Sequence, residues 1–567
     1  MIINKIGDTK LMLYIKEKNK TKIFEYFLLK NEVQYLDHIN YQGDSALTLS
    51  IHQDMYDVAL EIINYGNNNN SGCKLEHIDK HGNSALTLSI HRNMENVAIE
   101  IVKTLCRNNN DSNNSKKDIE VINHIDNHGD SALTLAINKG MVELALEILN
   151  YENCNVIKED SHGDDPLTLA INRFMESVAY KIVKTGRANL KYIDFHNNNA
   201  LILALRFKME NVVNEMLKYE ELLLPDILHI DSHGDSSLLV AIDNLLEGAA
   251  ISLIKCNKRV VNHINIHGFS ALILAITKGL SNVALEILNE SSEYSHSEYS
   301  HIQHINDNGD TAFIYAITHK MENVAYKIYE SGYSNPTHVN NHGNNAFIYS
   351  IINEYEKLAL KLFLNGDSNY KVITNDSNST LMLALNNGMY ELAKLIINDN
   401  YINDNYINLI SHINNEGDTA FILCIIYGKE DLASLILKSG YSNYDIITRQ
   451  NDTTLLLAIN NRMFNLAKEI ILLKNEKVLN HINNEGNNAL LLAVDAKNEE
   501  LALLLINSRI CIIDKPNNNG ITALHVAEYN KLNKVVKSIK DKMFINFINI
   551  YVGKPRFPLP PHPRRET

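Results

Sequence analysis

The sequence contains no tryptophan and only nine prolines, five of them crowded into its last fifteen residues. Its six cysteines, Cys73, Cys106, Cys154, Cys256, Cys424 and Cys511, form no C-x-x-C pair, which excludes a zinc ribbon and leaves no visible disulfide framework. Basic residues are the scarcer charge, 53 Lys plus Arg against 67 Asp plus Glu, for a net charge of −14. That balance argues against a nucleic-acid partner, whose binding rests on cations that neutralise phosphates. No segment holds ~18 uninterrupted apolar residues, and the opening MIINKIGDTK lacks the apolar stretch of a secretory signal. The sequence therefore predicts a soluble, intracellular and cytoplasmic protein with no membrane partner. No phosphate-binding G-x-x-x-x-G-K-[ST] loop, G-x-S-x-G elbow or H-E-x-x-H pair occurs. No catalytic residue and no cofactor is expected, and the chain does not read as an enzyme.

What the sequence has in abundance is asparagine, 78 residues, together with an apolar content of 45%. At ~150 residues per domain, 567 residues would make about four ordinary domains, but self-similarity overrides that count. GDSALTLSI at Gly43, GNSALTLSI at Gly82, GDSALTLAI at Gly129 and GFSALILAI at Gly268 are one motif. With its glycine as anchor, the frame recurs at Gly7, Gly43, Gly82, Gly129, Gly163, Asn197, Gly234, Gly268, Gly309, Gly343, Ser377, Gly417, Asn451, Gly486 and Gly520. Seven of the fourteen spacings are 34 residues.

Columns within the repeat carry physical meaning. Four after the anchor stands Leu or Phe in all fifteen repeats. Seven after it, fourteen have Ala, Ser or Cys (Cys424 among them), and sixteen after it twelve have Ala. Apolar residues such as Leu133, Ala136 and Ile137, then Leu144, Ala145 and Ile148, follow a 3.6-residue period over two short segments. Each repeat is thus a helical hairpin that cannot bury its apolar faces alone, and small residues let neighbouring backbones approach.

A chain without Trp does not fit the tetratricopeptide pattern. GITALHVAEYNKLNKVVKSI from Gly520, with Thr522, Leu524, His525 and Ala527, resembles the ankyrin repeat, as does NHIDNHGDSALTLAINKGMVELALEIL from Asn123. The resemblance covers about residues 1–540. It implies an all-α fold with short β-hairpin turns, an ankyrin-type helical solenoid of about 15 repeats. The sequence departs from the family's T-P-L-H signature: Ala usually replaces the Pro, which survives as Pro166, and Thr, Ile or Leu usually replaces the His. Those departures remove the Thr-to-His hydrogen bond that stiffens such arrays. The H-I-[DN]-x-x-G variant and the richness in Asn and Ile resemble the ankyrin proteins of large DNA viruses of protists.

The expected organisation is a capping repeat at 1–42, a repeat array at 43–519, a final repeat with its C-terminal cap at 520–552, and a disordered Pro/Arg-rich tail at 553–567. In the first repeat Lys10 and Tyr14 replace small residues, as suits a stack end, and FINFINIYV at 544–552 is apolar enough to cover the other end. Four insertions (67–73, 107–118, 291–302 and 398–409) include the tandem copies SEYSH-SEYSH and NDNYI-NDNYI, and read as tolerated loop lengthening. The tail's Pro560-Pro561-His562-Pro563-Arg564-Arg565 fits a P-x-x-P-x-R ligand pattern.

Sixteen of the 23 histidines fall in two columns, five before the anchor (nine residues, such as His38 and His124) and one before it (seven, such as His128 and His196). Metal binding needs three or four converging ligands, and no Cys or acidic cluster supplies the others, so no metal site is expected. The imidazoles are expected to hydrogen-bond between adjacent turns, with a pH-sensitive ladder as the alternative. In ankyrin-type stacks the positions two before, one before, one after, nine after and ten after the anchor line the partner face. Here that face reads as mostly polar and acidic (Asp44, Asp130, Asp235, Asp310), favouring a basic protein partner. Its apolar exceptions are the candidate contacts: Phe195, Phe207, Ile266, Phe269, Ile426, Tyr427 and Tyr529. The function read from the sequence is non-catalytic protein–protein binding by a monomer. A host-directed ubiquitin-ligase adaptor and a self-associating structural component of a viral particle or inclusion are the alternatives.

Overall fold

Every repeat begins by turning the chain back on itself. The anchor residue has a positive φ in each, from Gly7 at 83° to Gly520 at 77°, and the three non-glycine anchors Asn197, Ser377 and Asn451 adopt it too, at 60–65°. Seven of these turns close an antiparallel bridge from four before the anchor to two after it, as between Ile125 and Ser131. The residue two after the anchor then caps the first helix. Ser131, for instance, accepts the Thr134 N–H, and Thr134 Oγ1 accepts the Ser131 N–H in return. Reciprocal caps of this kind recur at Ser45 with Thr48 and at Ser84 with Thr87, and Thr522 forms one with His525. Where the third helical residue is apolar, as Ile273 or Leu456, only the first half of the cap remains.

A computed structural model describes residues 4–28, 35–68, 74–107, 114–219, 227–291, 300–402 and 409–552. The proline-rich tail, Cys73 and half or more of each insertion lie outside them. The chain forms two compact units, Met1–Asp307 and Asn308–Thr567. Each is an all-α helical solenoid of ankyrin type, eight repeats in the first and seven in the second. A repeat pairs a seven-residue first helix, such as Ala132–Asn138, with a second, such as Val142–Leu149. First helices pack on neighbouring first helices and second on second.

The core is the set of columns already named. The residue four after the anchor is at most 2% exposed in the first fourteen repeats, each such Leu or Phe contributing roughly 1.5–3 kcal/mol by burial. Ala136, Ala145 and Cys424 are fully buried. Burial pushes the Cys424 thiol up to about 12, so it packs as a small apolar side chain. At the ends the seal is thinner. Lys10 is exposed and Tyr14 half-buried with Lys22 over its ring. Leu524 in the last repeat is only half-buried. The last helix, Asn533–Val552, buries Val535 and Ile539, but Phe544 and Ile545 are exposed, and the side chains from 546 on lie outside the description.

Two substitutions test the turn and the cap. Asn451 and Asn197 place Nδ2 on the carbonyls of Ile482 and Ile230 in the next repeat, a bond Ser377 is too short to make. Ser377→Asn should stabilise the protein by about 1 kcal/mol, the order of the left-handed penalty that Asn lessens. An unchanged or lower urea midpoint would refute this. Asp165 caps the fifth repeat's first helix where its neighbours use Ser or Asn. Burial raises its carboxyl from 3.8 to about 6, against the Leu167 and Thr168 N–H bonds that lower it. A raised carboxyl favours the fold fully below 3.8, and that contribution is lost as pH rises through 6. Asp165→Ser should therefore be more stabilising at pH 7.5 than at pH 4.5, by ~3 kcal/mol at most, seen as a larger rise in melting temperature at the higher pH. A pH-independent difference would count against it.

Candidate interaction surface

Successive turns are tied by a polar ladder that fixes which side chains stay free. Each of the nine histidines five before an anchor donates Nε2–H to the carbonyl of the preceding anchor at 2.7–2.8 Å, as His77 to Gly43 and His481 to Asn451. Tyr192, in the same column, reaches the Gly163 carbonyl with its hydroxyl at 3.0 Å. A carbonyl only accepts, so Nε2 carries the proton in every rung. The second histidine column does not join adjacent turns as expected. All seven of its imidazoles are exposed, and three of them, His81, His128 and His233, lie against the residue nine after the previous anchor, as His128 beside His91 with ring centroids at 6.1 Å.

Three before the anchor stands Asp, Asn or Thr. An Asp or Asn accepts the N–H groups of the residues two and four further on, as Asp126 does from His128 and Asp130, whereas Thr374 and Thr448 accept the one four further on. At three junctions the end of the previous first helix donates to an Asp here: His91 bonds Asp126 at 2.9 Å, Asn138 bonds Asp160 at 3.1 Å, and Arg206 bonds Asp231. Burial alone would raise these carboxyls, but the hydrogen bonds outweigh it and hold all three below the ordinary value. An Asn in this place gives its Nδ2 to the residue one after the previous anchor, as Asn265 to Asp235 and Asn340 to Asp310.

This corrects the expected acidic face. Asp44 and Asp130 are buried, and Asp235 and Asp310 accept bonds from the next turn. The column one after the anchor belongs to the ladder and not to an open surface. What remains exposed is the tip of each hairpin, one and two before the anchor, and the end of each first helix, nine to eleven after it. Of the candidate residues, Phe195 (88% exposed), Ile266 (74%) and Tyr529 (87%) project from these places, with Ile426 and Tyr427 less exposed. Phe207 and Phe269 are half-buried. Phe207 packs edge-on against Phe174, ring centroids 4.8 Å apart.

No protein-family profile matches the sequence, and no curated protein matches it. Among solved structures, the chain is similar to a chain of the complex between the predatory endopeptidase Bd0816 from Bdellovibrio bacteriovorus and immunity protein Bd3460. The identity is 24% and the TM-score 0.28, over 35% of this chain and 98% of that one. It is similar also to the ankyrin repeat domain of Bcl-3, a unique member of the IkappaB protein family, at 19% identity and a TM-score of 0.29, over 43% and 100% of the two chains. At these values neither likeness bears on function.

Phe174 and Leu245 escaped the sequence reading. They are 69% and 55% exposed and sit eleven after their anchors, where every repeat takes a positive φ. Glycine holds that place in four other repeats, Gly140, Gly279, Gly388 and Gly428, and a polar or charged residue such as Asn93 or Lys320 holds it in the rest. An apolar residue in a column of glycine and polar residues was the signal, visible once the column is aligned. Among the described residues no group of three His, Cys, Asp or Glu converges as a metal site, and no helix is long and apolar enough to cross a membrane.

The alternation of Asp and Asn can be tested at one junction. Arg206→Leu removes the donor from the buried Asp231 carboxylate and should cost about 2 kcal/mol. Adding Asp231→Asn should restore most of it, because the new Nδ2 faces Asn198 Oδ1, a buried oxygen with no hydrogen-bond partner, as Asn414 faces Asn378. Additive destabilisation in urea melts of the double variant would show that the two positions are not coupled.

Proposed function

We propose that the protein is a non-catalytic interaction scaffold that binds a protein partner on the face formed by hairpin tips and first-helix ends. The observation that supports this is the separation of roles among columns. The polar groups of the turns are engaged from one repeat to the next, while Phe195, Ile266 and Tyr529 stay exposed where the fold asks nothing of them. Large exposed apolar side chains in a polar surround are what interface anchors look like. Such a fold leaves the partner's identity to the surface residues.

Affinity capture from the source cells with Phe195→Ala, Ile266→Ser and Tyr529→Ala variants tests the reading. The expected result is a fall of at least fivefold in one or more captured proteins, with melting temperatures within 1–2 °C of the parent, since exposed substitutions rarely exceed ~0.5 kcal/mol. Capture that is unchanged in all three variants, or that falls only in step with stability, rejects this face. Concentration-dependent self-association abolished by the same substitutions would instead favour a self-assembling component.

A further inference from the structure

We infer that repeats three to six of the first compact unit form a docking strip for an acidic protein segment carrying an aromatic or aliphatic side chain. This rests on the scaffold reading and adds to it a location and a sign of charge. The twelve positions nine to eleven after the anchors Gly82, Gly129, Gly163 and Asn197 contain no Asp or Glu. They contain Arg92, Lys139, Arg173 and Lys208, all exposed. Arg92 lies 3.4 Å from Asp54, and Arg173 meets only the amide oxygen of Asn138, at 3.3 Å. Among the described residues Lys139, Arg173 and Lys208 have no carboxylate partner. Acids near the strip are turned elsewhere: Asp126, Asp160 and Asp231 are buried under their own donors, and Glu176 receives the Asn211 amide of the next repeat. The exposed Glu143 and Glu210 open the second helices, a turn of chain beyond the strip.

The apolar component lies among these cations. Phe174 stands between Arg173 and Phe207, and Lys208 follows Phe207 in sequence. It holds a φ of 57° that four other repeats give to glycine, yet 69% of it is exposed. An aromatic side chain that strains its own backbone and leaves most of its surface in water gains little for the free fold beyond its edge-on contact with Phe207. Side chains ten after an anchor meet those nine or eleven after the previous anchor, as Arg173 meets Asn138 and Phe207 meets Phe174, which joins the strip across repeats four to six. Such a row suits an extended segment with carboxylates on either side of one apolar anchor. Nucleic acid fits less well, because three unpaired cations on a chain of net charge −14 neutralise few phosphates.

The test is fluorescence anisotropy of the full chain with three probes: a labelled twelve-residue Glu/Asp peptide with a central Phe, the same peptide with Lys for every acid, and a twelve-nucleotide single strand. The acidic peptide should bind at least tenfold more tightly than either of the others, and more weakly at 300 mM than at 50 mM salt. Lys139→Glu, Arg173→Glu and Lys208→Glu combined should weaken it at least tenfold. Phe174→Gly should weaken it at least threefold while raising the melting temperature, a combination that a purely structural role for Phe174 would not give. No measurable binding of the acidic peptide, preference for the oligonucleotide, or binding indifferent to the charge reversals overturns the inference. If cell capture still depends on Phe195 while the triple reversal leaves it intact, the scaffold reading stands and this strip does not.

Discussion

One donor set across one gap organises the structure. A left-handed anchor directs its carbonyl toward the next hairpin, and the imidazole five before the following anchor meets it. With helices of only seven residues, too short to hold themselves, alignment between repeats has to come from such junctions and from the small residues beneath them. The rung fixes the Nε2–H tautomer, which makes this column a structural rail. Tyr192 supports that reading, since a phenol does the same work at the Gly163 carbonyl.

Asparagine is abundant because the turns use it in three distinct ways. At Asn197 and Asn451 it tolerates the left-handed backbone in place of glycine. Three before the anchor it accepts its own turn's N–H groups with Oδ1 and spends Nδ2 on the preceding repeat, as Asn483 does on Asp452. Two before the anchor it hands Nδ2 to the tip of the previous hairpin, as Asn127 to the His81 carbonyl and Asn375 to that of His342. Only the first of these is readable from composition and position. The other two need a residue that donates and accepts at once across a repeat boundary, which no single repeat reveals.

The same distinction separates what the sequence disclosed from what it withheld. Leu133, Ala136 and Ala145 announce a stacked helical core by period and size alone, and their burial follows. Ser131 before an apolar run announces a cap. The direction of a polar side chain is another matter. Asp130 and Phe195 both sit beside an anchor and both read as surface residues, yet one is buried and the other 88% exposed. What decides between them is pairing at a distance of one repeat, since Asp130 accepts the Ser161 N–H of the next turn. Such pairs are written in the chain, but in comparisons between positions 30 or so residues apart.

Separating these columns changes how surface charge should be read. A net charge of −14 describes the field far from the protein, and many of the acids that produce it are committed inside the ladder. Carboxylates held by backbone N–H groups and by Arg206 or His91 have little left to offer a partner. The exposed ends of the first helices carry no such commitment, so their sign can differ from that of the whole chain, and between Gly82 and Lys208 it does. A repeat scaffold of this kind can therefore present a local charge opposite to its overall one without disturbing the fold, because the residues that hold the repeats together and the residues that face outward are different columns.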